Sequence, residues 1–249
     1  MNWRRPAVFA MLLAPALVAQ AGIERFYGHA YDLETGAYLY TEVHAQRIEN
    51  GRWLGGTIGY YTPQGEKFAH KTLDFSADEF VPVFRMEDSR SGYMEAITDN
   101  RQAVAMERRE TRKGKVEQKR IDKRAPMCAD SGFHSCVRAS FDELMAGRTL
   151  RFALAVPGSL DSFRFRARRV GETVFEGRKA VKILVEPDSL LRLLAGPLEL
   201  VYEPEQRQLL EFRGISNVLD PATGKPYQAR IIFPAKPPAD VPRLPPLGG

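Results

Sequence analysis

Turn signals recur along most of this chain at a spacing of about 10–15 residues, too close together for anything but short strands or short helices. Thr35-Gly36, Asn50-Gly51 and Gln64-Gly65 separate segments near 24–33, 36–48, 52–62 and 66–76, all rich in Tyr, Phe, Thr and Val. Asn-Gly is a strong hairpin signal because both residues tolerate positive φ. Ser89-Arg90-Ser91-Gly92, Asp99-Asn100 and Lys113-Gly114 then divide 82–88, 92–98, 102–111 and 115–122. None of these segments keeps a helical period, so the pattern predicts an antiparallel meander.

One stretch differs. Within Ser135–Ala146, Val137, Phe141 and Leu144 recur at i, i+4 and i+7, and Gly147 follows. This predicts a helix with one apolar stripe, stopped by glycine and packed on the sheet beside it. The β pattern resumes at 149–156, 161–170, 173–176, 179–186, 198–203, 207–213 and 227–233, with an apolar helical turn at Ser189–Ala195. The fold class expected is mainly β: one strongly curved antiparallel sheet of about eleven strands, an open half-barrel or a closed barrel, with a single packed helix. Two small β domains divided near residue 130 is the other arrangement the pattern allows.

Within this scheme Leu150–Val170 carries the sharpest alternation. Two strands flank Pro157-Gly158, and in the second Phe163, Phe165 and Ala167 alternate with Arg164, Arg166 and Arg168. A period of two separates the aromatics from the guanidinium groups, so one face lines an apolar interior and the other meets water or an anion.

The chain ends are read differently. Arg4 and Arg5, the apolar run Ala7–Val18 and the small-x-small triplet Ala19-Gln20-Ala21 match a secretory signal peptide over 1–21, cleaved before Gly22. The run is too short for a spanning helix, which needs about 20 residues, so a periplasmic, soluble mature chain is expected, with one β-rich domain over 22–233. The proline-rich end, 234–249, is expected to be extended or disordered. Loss of the two arginines leaves a formal charge of 34 − 31 = +3, too small to imply nucleic acid.

An exported chain meets an oxidising compartment, so the two cysteines, Cys128 and Cys136, are expected to form a disulfide. A metal cluster that adds His134 lacks a fourth ligand and paired spacing. His29, His44, His70 and His134 lack metal-binding spacing, no serine lies in a nucleophile motif, and no glycine-rich phosphate loop joins a strand to a helix. No enzyme activity, cofactor or metal is expected.

Charge and apolar content leave two kinds of binding function. Arg101–Arg124 holds ten Lys/Arg against four Asp/Glu, with Arg108, Arg109, Arg112, Lys113, Lys115, Lys119 and Arg120 around one hairpin. That cluster suits an anionic envelope component, or simply a charged edge that resists aggregation. The expected ligand is a lipid or other amphiphile between curved sheet and helix. Phe141, Leu144, Phe152, Phe163 and Phe165 would form its apolar wall, and Arg164, Arg166 and Arg168 would meet its anionic groups. The alternative is an envelope scaffold that binds protein through a sheet edge or the proline tail, without a small ligand.

The run FDELMAGRTLRFALAVPGSLDSFRFRARRVG, with LLAGPLELVYEPEQRQLLEFRGISNVLD beyond it, resembles an uncharacterised family of exported proteobacterial proteins with a periplasmic, all-β domain of unknown function. The resemblance rests on Phe141, Leu144, Gly147, Phe152, Pro157, Asp161, Phe165 and Gly214. It implies location and fold, and no activity. A weaker likeness, in strand and helix pattern alone, is to the half-barrels of periplasmic lipoprotein carriers.

Overall fold

The computed structural model describes residues 21–188 and 196–247. The expected export signal and the helical turn over 189–195 lie outside them, apart from Ala21, where the first strand begins.

Among the described residues fifteen strands form one sheet. In chain order they are β1 (Ala21–Asp32), β2 (Tyr38–Glu49), β3 (Arg52–Tyr61), β4 (Lys67–Asp74), β5 (Val83–Asp88), β6 (Met94–Asp99), β7 (Ala103–Arg109), β8 (Glu117–Asp122), β9 (Met127–Ala129), β10 (Leu150–Val156), β11 (Asp161–Phe175), β12 (Arg178–Pro187), β13 (Leu198–Glu203), β14 (Gln208–Leu219) and β15 (Pro226–Ile232). The turns read from the sequence connect them. Asn50 and Gly51 both take positive φ, 52° and 72°, as a two-residue hairpin requires.

The ladder runs β8-β7-β6-β5-β4-β3-β2-β1-β15-β14-β13-β12-β11-β10-β9. This corrects the expected strongly curved half-barrel or barrel of about eleven strands. The series is open: β8 and β9 each pair on one side, and no ladder joins them. The two ends are poorly suited to closure. Glu117, Gln118, Lys119 and Arg120 leave β8 exposed and charged, which opposes strand addition. β9 is three buried residues, pairs parallel to β10, and Ala129 N–H already donates to Phe80 O at 2.8 Å. β9 is one of the strands beyond the expected number, and it arises in a stretch that reads as irregular.

The expected helix is two: α1 (Phe133–Ala139) and α2 (Phe141–Met145), separated at Ser140. Ser140 sits at φ −99°, ψ 14°, off the helical values; a serine favours helix ends over interiors because its hydroxyl competes for backbone partners. Gly147 (φ 80°) follows α2, as the stop signal predicts. Val137, Phe141 and Leu144 bury the stripe of both helices against Phe152, Ala167, Ile183, Val185 and Tyr202. A second core lies under the other half of the sheet, around Tyr40, Phe68, Phe75, Phe84, Met86 and Ile97. Phe80 and Phe212 pack against both cores. The proline-rich segment 234–247 has neither helix nor strand and is docked on β1: the Tyr27 hydroxyl donates to Pro245 O at 2.6 Å.

Candidate functional site: a cleft between the two ends of the sheet

The layer between helices and sheet holds side chains rather than a ligand seat. Val137, Phe141, Leu144, Ile183, Val185 and Tyr202 are all at most 2% exposed. Phe165 stacks on Phe152 at 6.3 Å at the margin of this layer. Burying Phe141 and Leu144 stabilises this layer by about 1.5–3 kcal/mol each, so opening it for a ligand is costly.

The space lies elsewhere. A cleft of about 740 Å³ separates the outer end of β8 from β10–β11, within the range of about 300–1,000 Å³ usual for ligand sites. Four of the eight expected ligand residues line it: Phe152, Phe163, Arg164 and Phe165. Ile121 and Ala153 add apolar lining, Arg120, Arg124 and Arg151 add positive charge, and Asp122, Asp161 and Asp188 add negative charge. Phe141, Leu144, Arg166 and Arg168 are not among its lining.

The three arginines of the alternation therefore divide. Arg166 donates to Glu186, directly opposite on β12, at 2.8 Å, and Arg168 lies 3.7 Å from the same carboxylate. In the cleft, Arg124 pairs with Asp122 at 2.7 Å, Arg151 with Asp188 at 3.6 Å and Arg120 with Asp99 at 3.5 Å. Arg164 is exposed and, among the described residues, has no ion pair. Its guanidinium has five donors fixed in a plane that matches a carboxylate or phosphate.

Side chains hold the cleft's two walls together where no ladder does. Lys119 Nζ meets Asp161 Oδ2 at 3.0 Å, and Arg108 donates to Gly158 O at 3.1 Å while pairing with Glu117. Other members of the basic hairpin are also engaged: Arg109 donates to Gly92 O at 3.0 Å and Arg112 to Ser89 O. Much of the cluster that suggested an anionic surface thus fastens this hairpin to neighbouring turns.

The Pro157-Gly158 turn rests on a buried polar group that sequence reasoning missed. Glu95, 4% exposed, accepts from Tyr93 at 2.9 Å and from Asn217 at 2.8 Å. Asn217 also donates to Asp130 at 2.6 Å, and Lys71 Nζ lies 3.8 Å from Asp130 and 3.3 Å from Ser131 Oγ. Burial first, then the Asp130 charge, raises the Glu95 pKa. A Cβ on Gly158 would stand 2.8 Å from both Glu95 Oε2 and the Tyr93 hydroxyl, so the turn's close approach depends on glycine. None of these network residues lines the cleft. They position one of its walls.

Cys128 and Cys136 are joined, with S–S 2.06 Å. His134 Nδ1 lies 2.8 Å from the Tyr202 hydroxyl, and burial lowers its pKa to about 3. His44 Nε2 lies 2.8 Å from Glu42. Among the described residues no three His, Cys, Asp or Glu side chains are grouped to hold a metal, and no helix is long and apolar enough to cross a membrane.

No family model matches the chain, and no curated protein matches it. Among solved structures, it is similar to a beta-barrel-like protein of a domain of unknown function, DUF1849, from Brucella abortus, with a TM-score of 0.51 and 5% identity. The likeness covers 86% of this chain and 98% of that one. At that identity it speaks for the fold alone. The coarse all-β expectation accords with it, whereas the barrel-like description belongs to that protein; here the ladder is open.

Proposed function

We propose that this chain is an exported binding protein of the bacterial envelope, and that its ligand is an amphiphilic anion held in the cleft between β8 and β10–β11. The observation that carries this reading is the placement of Arg164. It is the cleft-lining arginine without an ion pair among the described residues, and it shares that lining with Phe163, Phe165 and Ile121. Such a site matches a carboxylate, sulfonate or phosphate on an apolar or aromatic body. The export signal read from residues 1–21 supports the location.

Titration of the full chain with 1-anilinonaphthalene-8-sulfonate tests the reading. One saturable site is expected, weakened about tenfold or more by Arg164→Ala, the scale of losing a charge-assisted hydrogen bond. Arg168→Ala, whose partner is Glu186, leaves it unchanged. Equal affinity in all three proteins, or no saturable site, overturns the proposal and favours a scaffold without a small ligand.

A further inference from the structure

The proline-rich tail marks a second surface. Tyr27, His29 and Tyr31 alternate along β1 with Gly28 and Ala30, and Ala30 belongs to the core. They therefore face the opposite side of the sheet, beside Tyr38 and Thr41 of β2. Residues 234–247 cross this strip. Tyr31 donates to Asp240 Oδ1 at 3.1 Å and Tyr27 to Pro245 O at 2.6 Å; the side chain of Arg243 packs over the Gly65 turn.

The spacing suits an extended proline-rich segment. Asp240 to Pro245 spans about 15 Å at the polyproline rise of ~3.1 Å per residue. Tyr27 to Tyr31 spans about 14 Å at the strand rise of ~3.4 Å. Hydroxyls at both ends of an aromatic strip, donating to a main-chain carbonyl and to an acid, read such a segment without requiring regular secondary structure in it. The tail leaves one group unused: His29 is fully buried, and its Nε2 has no hydrogen-bond partner among the described residues.

We propose that this tyrosine strip is a docking site for a proline-rich segment of a partner protein, and that the chain's own tail is its resident competitor. A partner segment carries an acid five residues before a proline, as Asp240 precedes Pro245. One that also offers a polar group to His29 gains a hydrogen bond that the tail does not make.

The test uses the full chain and a fluorescein-labelled synthetic peptide of residues 234–247, read by anisotropy. In the wild type the tethered tail competes at an effective concentration on the order of millimolar, so binding in trans is weak. Asp240→Ala removes the tail's charged anchor and is expected to tighten peptide binding about tenfold or more. Adding Tyr27→Phe and Tyr31→Phe reverses that gain. A peptide with alanine in place of its Asp240 loses binding, a control that needs no further change to the protein. Equal peptide affinity in the wild type and Asp240→Ala overturns the proposal, as does affinity indifferent to the tyrosines or to the peptide's acid. Dimerisation of Asp240→Ala without peptide binding also overturns it, because the occupant would then be the tail of a second copy.

Discussion

Replacing Glu95 separates its hydrogen-bonding role from its charge. The carboxylate is 4% exposed and accepts from Tyr93 and Asn217 at 2.9 and 2.8 Å. Glu95→Ala leaves the buried Tyr93 hydroxyl without its acceptor, at about 1–3 kcal/mol, and takes one of two acceptors from the half-buried Asn217 amide, at less. It also deletes buried methylene, at roughly 1 kcal/mol per group. Against this, a buried acid that repels Asp130 is lost. The net expectation is a loss of about 2–4 kcal/mol. Glu95→Gln keeps the shape: its carbonyl accepts from Asn217 and its amide donates to the Tyr93 oxygen, so the change is within about 1 kcal/mol. The sign with pH follows from the raised pKa. The folded state holds the proton more tightly, so this group's contribution is fully present below 4.5 and falls as pH rises through the folded pKa. Urea unfolding of wild type, Gln and Ala at pH 5 and pH 8 reads both effects. The Gln variant gains on the wild type as pH rises. An Ala variant as stable as the wild type, or a Gln variant as damaged as Ala, refutes the reasoning.

Other perturbations report on the neighbouring parts. Gly158→Ala forces a Cβ to 2.8 Å from Glu95 and Tyr93 and is expected to cost about 1–3 kcal/mol in urea unfolding; a change under about 0.5 kcal/mol would show that the turn does not rest on that network. Cys128→Ser with Cys136→Ser opens a link of sequence separation 8 and is expected to cost about 2–3 kcal/mol by loop entropy, measured as the shift in urea midpoint. Burial holds the folded His134 near pKa 3 against 6.5. The unfolded chain takes up that proton first, so stability falls as pH drops from 6.5 toward 3. His134→Gln flattens that limb of a stability–pH curve, and an unchanged slope would remove His134 as its source.

The fold was legible where punctuation is local. Asn50-Gly51 marks its hairpin with two residues able to take positive φ, and Gly147 marks the end of α2. The apolar stripe of Val137, Phe141 and Leu144 found its layer, although Ser140 divides the helix. β9 escaped because three buried residues carry no measurable period. The site was less legible. The Phe/Arg alternation told which residues share a face, but Glu186 binds Arg166 and Arg168 while leaving Arg164 to the cleft, a difference set by pairing on β12. Lys71, Glu95, Asp130 and Asn217 lie on four separate elements. The only local trace was one acid inside the buried run Met94–Ile97.

The central claim is that a ligand is held in the cleft and not under the helices. Methyl NMR of the full chain titrated with 1-anilinonaphthalene-8-sulfonate tests it most directly. Saturable shifts at Ile121 and Ala153, with Val137 and Leu144 unmoved, are the predicted result. Shifts centred on Val137 and Leu144, or scattered without saturation, would contradict it.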